Sequence, residues 1–299
     1  MEVLFFIIDA ACNRACSYCY YETGHLERTT VSMAEKDWLR LVDNAAGAGV
    51  RNIVLTGGEP LLGGEARLAM IENIIAQAKD KGVEALLLTN GEFLTPLVAE
   101  RFVQAGLKAV SIGLDSLSGV WGYKIRGWKA VEASLKAGLR VTLIMAVTRE
   151  NYHDISPIYR FAATRSLGLI LQPAFIPKEN ARFEELSLES MQSSWRLAIL
   201  KAIAQWADGF GLTDYPAYVK SLLGLPGGRR PRRCEMGANA AVVNCDGSLL
   251  HCFHRKEMSV GSLLEEPFDV LLQQLERTGK ILDDAPCFGM HCLSLFAGS

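Results

Sequence analysis

The sequence lacks any apolar run long enough to cross a membrane, and its first apolar run, Val3 to Ile8, is also too short for the core of a signal peptide. It has little net charge, formally −2, so a nucleic-acid-binding role is not indicated. It also lacks internal repeats and low-complexity segments, which excludes a repeat architecture. We therefore expect a cytoplasmic protein without nucleic-acid or membrane partners, and 299 residues suffice for one large domain or a large and a small one.

Cysteine, by contrast, is plentiful. The chain has eight, which in a long intracellular protein indicates metal or redox chemistry rather than disulfides. Cys12, Cys16 and Cys19 form a CxxxCxxC pattern directly after the first apolar run, which is predicted to be a buried strand. Three thiolates can bind a soft metal or an iron–sulfur cluster, and three ligands leave one iron of a cubane open for a cofactor or substrate. A zinc site with a remote fourth ligand and ordinary buried cysteines are the alternatives.

Apolar runs alternate with helical patterns through the first part of the chain, which predicts βαβ units around a parallel sheet. Chemistry in such folds belongs at the C-terminal ends of the strands. Ser32 and Glu35 are predicted to form a capping box at the start of the first helix. The predicted strands are 3–8, 52–55, 85–89, 109–114, 140–147 and 168–173, and the helices are 32–48, 66–81, 96–105, 129–137 and 155–166.

Candidate binding residues lie on or directly after these strands. Gly57 and Gly58 follow the second strand, where glycines let the backbone approach a ligand closely. Ser111, Asp115, Thr148 and Arg149 are candidates by position, with loop caps as the alternative. Ile170 is a further candidate, with plain core as the alternative.

The CxxxCxxC pattern with Tyr18 before its last cysteine, together with the Gly-Gly-Glu-Pro segment, resembles the radical S-adenosylmethionine (SAM) superfamily. The resemblance implies an α/β fold, an open (β/α)6 partial barrel, with a [4Fe–4S] cluster on Cys12, Cys16 and Cys19 and SAM on its open iron. It implies reductive cleavage of SAM to a 5′-deoxyadenosyl radical, which takes a hydrogen atom from the substrate. An electron donor such as flavodoxin or ferredoxin is the implied partner. The implied SAM-binding residues are Tyr18, Gly57, Gly58, Glu59, Pro60, Ser111, Thr148, Arg149 and Ile170.

Five cysteines lie in the last quarter, after a helix predicted at 186–210 and a linker at 224–233. The spacing Cys234-x12-Gly247-x4-Cys252, then a helix at 267–277 and Cys287-x4-Cys292, resembles the SPASM and twitch extensions of radical SAM enzymes. That resemblance implies an auxiliary [4Fe–4S] cluster on Cys234, Cys252, Cys287 and Cys292, with a structural zinc site as the alternative. We expect a barrel at 1–183, a helical connector and linker at 184–230, and a small twitch-type hairpin and helix domain at 231–299.

Cys245 is left over. Asp246-Gly247 predicts a two-residue turn between hairpin arms at 240–245 and 248–253, which pairs Cys245 with Ser248. Cys245 would then lie ~13 Å from Cys252, too far to share a cluster. We therefore predict a free thiol at the hairpin tip, reaching toward the barrel mouth. A small buried apolar residue is the alternative.

A free thiol in a radical enzyme can return hydrogen to the opposite face of a carbon, which is epimerisation. This logic resembles the radical SAM epimerases of ribosomal peptides and of aminoglycosides. Because the first strand starts at residue 3, no room is expected for a leader-peptide domain, which favours an aminoglycoside, with neomycin C converted into neomycin B at C-5‴. A dehydrogenase and a non-catalytic iron–sulfur protein are further alternatives. Candidate carboxylates for a polycationic substrate are Glu22, Asp115, Glu150 and Asp246.

Overall fold

The structure is a computed structural model, and it describes residues 1–24, 26–29, 31–117, 127–208, 226, 236–254 and 259–278. Cys234, Cys287 and Cys292 lie outside the described residues, as does nearly all of the predicted linker.

Six parallel strands alternate with five helices, which confirms the predicted α/β fold. Each strand is an apolar run, and each helix covers the same side of the sheet. The strands are β1 (Val3–Ile7), β2 (Asn52–Thr56), β3 (Glu84–Thr89), β4 (Ala109–Gly113), β5 (Arg140–Val147) and β6 (Gly168–Pro173). The helices are α1 (Glu35–Gly47), α2 (Gly64–Asp80), α3 (Pro96–Ala105), α4 (Gly127–Lys136) and α5 (Ile155–Ala163).

The two faces of this sheet differ in burial because successive strand residues point to opposite sides. The face toward the helices is fully buried and forms the main core, with Phe6, Leu55 and Leu87 among its members. Most alternate residues on the inner face of the partial barrel are only half-buried, including Phe5, Val54, Leu88, Ser111, Ile144 and Ile170. Val3 and Ile7 of β1 are exceptions, because they are buried in a second apolar cluster with residues of β7. The inner face is therefore the side of the sheet that a ligand can reach.

Helices come next along the chain, then a hairpin that joins the same sheet. A short helix α6 (Phe183–Leu186) precedes α7 (Ser193–Asp208), so the helix predicted from residue 186 begins at Ser193. Strand β7 (Ala240–Val243) pairs in parallel with β1, and β8 (Ser248–Leu250) and β9 (Ser259–Ser262) extend the sheet to the order β6-β5-β4-β3-β2-β1-β7-β8-β9. Helix α8 (Phe268–Thr278) follows. Because β1 and β7 run in the same direction, their C-terminal ends meet at one edge.

The register of the β7–β8 hairpin differs from the prediction. Val243 pairs with Leu249, and the Asn244 amide donates to the Ser248 carbonyl at 2.9 Å, so the loop holds the three residues 245–247 instead of two. Gly247 has φ +90° and donates to the Asn244 carbonyl, which is a type I turn closed by a glycine bulge. The predicted two-residue turn, and the Cys245–Ser248 pair with it, were wrong.

The capping box is also absent. Helix α1 begins at Glu35 with Ala34 at its N-cap and no side-chain cap. The chain before it is held elsewhere, because the Met33 amide donates to the Cys245 carbonyl at 2.7 Å. A hydrogen bond to the distant hairpin thus replaces the local cap that Ser32 and Glu35 predicted.

No helix in the part of the chain that the structure describes is long and apolar enough to cross a membrane.

Candidate active site

Residues 8–34, which we call the cysteine loop, connect β1 to α1 at the C-terminal edge of the sheet. Cys12, Cys16 and Cys19 are all half-buried and unpaired there. Short turns bring them together, with the Cys19 amide bonded to the Cys16 carbonyl at 2.9 Å and the Thr23 amide to the Cys19 carbonyl at 2.8 Å. Burial raises the pKa of Cys16 to about 11 and also raises that of Cys19, because a buried thiolate is unfavourable. A metal that replaces the thiol protons neutralises that charge and removes the penalty.

The Gly-Gly-Glu-Pro segment is the platform on which the cysteine loop rests. The Gly58 amide donates to the Asp9 carbonyl at 2.7 Å, and the Glu59 amide donates to the Ala11 carbonyl at 2.8 Å. A Cβ at Gly58 would lie 2.2 Å from the Ala11 carbonyl oxygen, and one at Gly57 would lie 2.4 Å from that of Asp9. The two glycines therefore allow the backbone of the cysteine loop to approach the end of β2 closely. A contact of these residues with SAM stays a prediction.

Glu59 is buried beneath this platform and does not present its carboxylate to the inner face. It accepts hydrogen bonds from the Leu61 amide (3.0 Å), the Thr89 hydroxyl (2.7 Å) and the Asn90 amide (2.8 Å). Burial raises the pKa of this carboxyl, while the three donors lower it. Its side chain ties the end of β2 to the end of β3, with Pro60 buried beside it.

Two side chains in the first turn of the cysteine loop hold it to the segment after β3. Asn13 donates to the Glu92 carboxylate at 2.7 Å and accepts from the Asn90 side chain at 2.9 Å. Arg14 donates to the Asn90 carbonyl at 3.2 Å. The position of Cys12 is thus fixed from a neighbouring strand end.

The last turn of the loop is tied to β4 and β5. Tyr18 donates its hydroxyl hydrogen to Asp115, whose other oxygen accepts from the Ala146 amide at 3.0 Å. The Asn151 side chain donates to the Asp115 and Ala146 carbonyls at 3.2 and 2.9 Å. Burial raises the pKa of Asp115 to about 6, and the bonds from Tyr18 and Ala146 oppose that rise. Asp115 therefore holds the cysteine loop, and this structural role competes with its predicted role as a substrate carboxylate.

Two arginines clamp the start of the loop, and no pattern in the sequence predicts them. Arg67 from α2 donates to the Ile8 carbonyl at 3.0 Å and pairs with the Asp9 carboxylate. Arg28 donates to the Ala10 carbonyl and pairs with Glu22 at 2.8 Å. An arginine in a helix or loop carries no sequence signal for such a contact, so only the fold reveals it.

The remaining SAM-binding candidates divide into two groups. Ser111 and Ile170 lie half-buried on the inner face, as their proposed role requires. Thr148 is fully buried and donates to the Asn151 side chain at 3.1 Å, so it caps its own loop. Arg149 is exposed and donates to the Glu184 carbonyl at 2.6 Å and the Ser190 hydroxyl at 3.3 Å. These two residues therefore fit the loop-cap alternative.

The predicted substrate carboxylates all have partners within the chain. Besides Asp115 and the Glu22–Arg28 pair, Glu150 pairs with Arg182 at 2.8 Å. Asp246 accepts from the Ser248 amide at 2.9 Å and so closes the hairpin loop. A cationic substrate would have to compete with these partners.

Cys245 lies in the hairpin loop, and its burial fits the alternative of a small buried apolar residue. Its residue surface is 0% exposed, in an apolar cluster that also contains Ala10, Tyr21 and Leu26 of the cysteine loop. The cause is the β1–β7 pairing, which places the hairpin loop beside the start of the cysteine loop. Burial raises the pKa of Cys245 to about 11, and the nearby Asp246 and Asp9 carboxylates raise it further. Its thiol therefore stays protonated at neutral pH.

Cys252 belongs to the same cluster but lies two residues beyond β8, at the other end of the hairpin from Cys245. Among the described residues, no three Cys, His, Asp or Glu side chains converge closely enough for a single metal ion. A four-iron cluster offers a separate iron to each thiolate, so its ligands lie farther apart than those of one ion. Three half-buried thiols on one loop fit that donor set.

A parallel α/β partial barrel with a three-cysteine loop at the C-terminal edge of its sheet defines a class of enzymes that bind a cluster at the barrel mouth. The model of the Radical SAM superfamily matches residues 7–162, which is more than half of the chain. The chain therefore belongs to the radical SAM superfamily, and membership implies a [4Fe–4S] cluster and SAM.

Curated relatives catalyse diverse reactions. A probable GTP 3′,8-cyclase of Sulfurisphaera tokodaii is 27% identical over 288 residues, 90% of this chain and 87% of that protein. The PqqA peptide cyclase of Granulibacter bethesdensis is 24% identical over 84% of this chain and 67% of its own. The AdoMet-dependent heme synthase of Nitratidesulfovibrio vulgaris is 27% identical over 60% of this chain and 49% of its own, so the chain spans about half of that relative.

Solved structures share the fold at low identity. The chain superposes on anSMEcpe with bound AdoMet with a TM-score of 0.71 at 15% identity, covering 97% of this chain and 88% of that one. It superposes on SuiB of Streptococcus suis bound to the precursor peptide SuiA with a TM-score of 0.67 at 14% identity, over 92% and 66% of the two chains. Likeness at these identities supports the fold and does not identify the reaction.

Proposed function

We propose that this protein is a radical SAM epimerase that inverts one carbon of an aminoglycoside, with Cys245 as the catalytic hydrogen donor. The observation that carries the proposal is the position of Cys245. Because β7 runs parallel to β1, the hairpin loop lies at the same edge of the sheet as the three cysteines of the cysteine loop. Cys245 packs in one cluster with Ala10, two residues before Cys12.

Bound to Cys12, Cys16 and Cys19, the cluster and SAM would supply the radical that removes a hydrogen atom from the substrate carbon. The chain's own contribution is the second half of the exchange. The Cys245 S–H bond breaks, its hydrogen atom bonds to the opposite face of the carbon, and a thiyl radical is left on sulfur. One electron from a protein donor and one proton from solvent restore the thiol. Burial favours this chemistry because it keeps Cys245 as the protonated hydrogen donor.

The substrate proposed first is neomycin C, converted into neomycin B at C-5‴. Glu22 and Glu150 are held in partly exposed ion pairs, which contribute only ~0–1 kcal/mol, so substrate ammonium groups can replace Arg28 and Arg182. Asp115 and Asp246 are held by backbone donors as well and are weaker candidates.

A ribosomal-peptide epimerase is the second candidate. It is favoured by the apolar inner face of the barrel and by the internal partners of all four candidate carboxylates. The names of PqqA peptide cyclase and of the SuiB–SuiA complex place peptides among the ligands of proteins similar to this one. A dehydrogenase would need no thiol donor, and Cys245 argues against it.

For the last part of the chain we propose the twitch-type domain at 231–299 with an auxiliary [4Fe–4S] cluster on Cys234, Cys252, Cys287 and Cys292, joined by the connector at 184–230 to the barrel at 1–183. Cys252 lies at the end of the hairpin opposite to Cys245, which agrees with separate roles for the two thiols.

The test is an anaerobic turnover in D2O with the reconstituted enzyme, SAM, a reductant and neomycin C, followed by mass spectrometry. Because a thiol exchanges its hydrogen with solvent, the expected product is an isomer of the substrate with one non-exchangeable deuterium. A product two mass units lighter (loss of two hydrogens) would instead identify a dehydrogenase. Unchanged sugar with continued formation of 5′-deoxyadenosine would reject the aminoglycoside and transfer the test to peptides.

Two variants separate the two kinds of cysteine. Cys245→Ala should still form 5′-deoxyadenosine but no epimer, since only the returning hydrogen is lost. Cys16→Ala should form neither, since a cluster ligand is lost. Normal epimerisation by the first variant would remove Cys245 from the mechanism.

A further inference from the structure

The proposed reaction needs the Cys245 thiol to reach a substrate carbon, yet the residue is 0% exposed. Its apolar cluster includes Tyr21, which is 8% exposed and comes from the cysteine loop. The cysteine loop therefore supplies part of the apolar cluster in which the thiol is buried.

Tyr21 has a second unusual feature. Its hydroxyl is buried and has no hydrogen-bond partner among the described residues. Leaving a buried hydroxyl unpaired costs about 1–3 kcal/mol, and such groups in native structures call for an explanation. A polar group of a bound substrate would supply the missing partner.

Arg28 contacts the Tyr21 ring. Its guanidinium lies 4.6 Å from the centre of the Tyr21 ring, a cation–π contact. The same side chain donates to the Ala10 carbonyl and pairs with Glu22. Tyr20 packs against Tyr21 with the ring centres 4.7 Å apart, and its hydroxyl donates to the Gly57 carbonyl at 2.9 Å. The ring thus contacts a cation and a second aromatic ring whose hydroxyl is bonded to the Gly-Gly-Glu-Pro segment.

We propose that Tyr21 is a positioning residue that covers the Cys245 thiol, and that a hydroxyl or amine of the substrate bonds to its phenol oxygen and draws the ring aside. The inference rests on the proposed function. It explains why a hydrogen donor beside the radical site is shielded: an exposed thiol would give its hydrogen to the radical before the substrate arrives. SAM would then be consumed without product.

The first experiment measures how fast Cys245 of the reconstituted enzyme reacts with iodoacetamide, by peptide mass spectrometry and without turnover. Tyr21→Ala should raise the alkylation rate about tenfold or more, because the cover is removed. Tyr21→Phe keeps the ring and should react as slowly as the wild type. Leu26→Ala truncates another buried side chain of the same cluster and is the matched control, expected to leave the rate nearly unchanged.

Denaturant unfolding of the same variants is measured in parallel, because global loosening would also expose Cys245. Equal rates for the wild type and Tyr21→Ala would overturn the cover, and so would equal acceleration by Leu26→Ala. This readout needs no epimerisation, so it can succeed or fail independently of the proposed reaction.

The second experiment isolates the hydroxyl. Tyr21→Phe should raise KM for the epimerised substrate about tenfold, the effect of one lost hydrogen bond to a polar ligand group, with kcat changed much less. The ratio of 5′-deoxyadenosine to epimer should also rise in Tyr21→Ala, because an uncovered thiol quenches the radical. An unchanged KM in Tyr21→Phe would overturn the substrate contact, even if the cover itself is supported by alkylation.

Discussion

The cysteine loop and the hairpin loop at 245–247 lie at the same edge of one sheet, yet they treat their thiols in opposite ways. Cys12, Cys16 and Cys19 are half-buried and open to a ligand, whereas Cys245 is fully buried. The cysteine loop is held by side chains from several strand ends, whereas the hairpin loop is held mainly by backbone pairing with β1 and by the Met33–Cys245 bond.

The difference matches the roles that we propose for the two kinds of thiol. Cluster ligands need fixed spacing and open space, because a cofactor has to bind between them, and many side-chain contacts supply that spacing without covering the sulfurs. A hydrogen donor needs a protonated sulfur that is protected until it is used, and burial supplies both. Breaking each support in turn measures how far the two loops depend on their different anchors.

The largest effect is expected from Gly58→Ala. The added Cβ would lie 2.2 Å from the Ala11 carbonyl oxygen, and backbone atoms cannot move aside as a side chain can. The free energy of unfolding should fall by more than the ~3 kcal/mol typical of overpacking, and iron incorporation should be lost with it. Denaturant unfolding and iron analysis measure both.

Gly47→Ala at the end of α1 is the matched control, since a Cβ there has no neighbour within 4 Å. It should be neutral or stabilising by about 0.5–1 kcal/mol, because alanine is the better helix residue. Similar stabilities for the two variants would mean that the cysteine loop does not rest on Gly58.

Much of this architecture is predictable because it depends on local patterns. The apolar runs at 140–147 and 168–173 and the helix at 96–105 have the same bounds in sequence and structure. The α/β alternation fixes the parallel sheet, and the sheet in turn fixes the edge at which the cysteines lie. Ser111, a candidate by its position on the fourth strand, lies on the inner face.

What the sequence could not reveal depends on contacts between distant segments. The hairpin register was mispredicted because a two-residue turn needs left-handed conformations at both Asp246 and Gly247, and here Gly247 adopts one but Asp246 does not. The burial of Cys245 depends on β7 pairing with β1, some 237 residues earlier in the chain (Val3 with Ala240). The clamps Arg28 and Arg67 bind backbone carbonyls, for which no residue pattern exists.

Gly247→Ala tests the hairpin loop and should have a smaller effect. Alanine at φ +90° is strained, and its Cβ would lie 2.9 Å from a Leu264 side-chain carbon. We expect a loss of about 2 kcal/mol in the free energy of unfolding, since a left-handed conformation costs a non-glycine residue about 1–2 kcal/mol. Gly49→Ala has φ +78° with no neighbour within 4 Å, so it carries the conformational cost alone. If Gly247→Ala were the milder of the two, the hairpin loop would be free to rearrange.

Asp115→Asn tests the contact between Tyr18 of the cysteine loop and the residue after β4, and we expect the smallest change in the free energy of unfolding here. Burial raises the pKa of Asp115 from 3.8 to about 6, so the folded chain holds this proton more tightly than the unfolded chain does. The resulting stability is complete below about pH 4 and is lost as the pH rises through about 6, with about 1 kcal/mol lost between pH 5 and pH 7.

Asparagine can keep both contacts, accepting from the Ala146 amide and donating to the Tyr18 oxygen, but it cannot ionise. The variant should therefore gain about 1 kcal/mol relative to the wild type over that interval in denaturant unfolding of the cluster-free protein. Parallel pH profiles would mean that Asp115 is already ionised at pH 5 and holds Tyr18 as a charged acceptor.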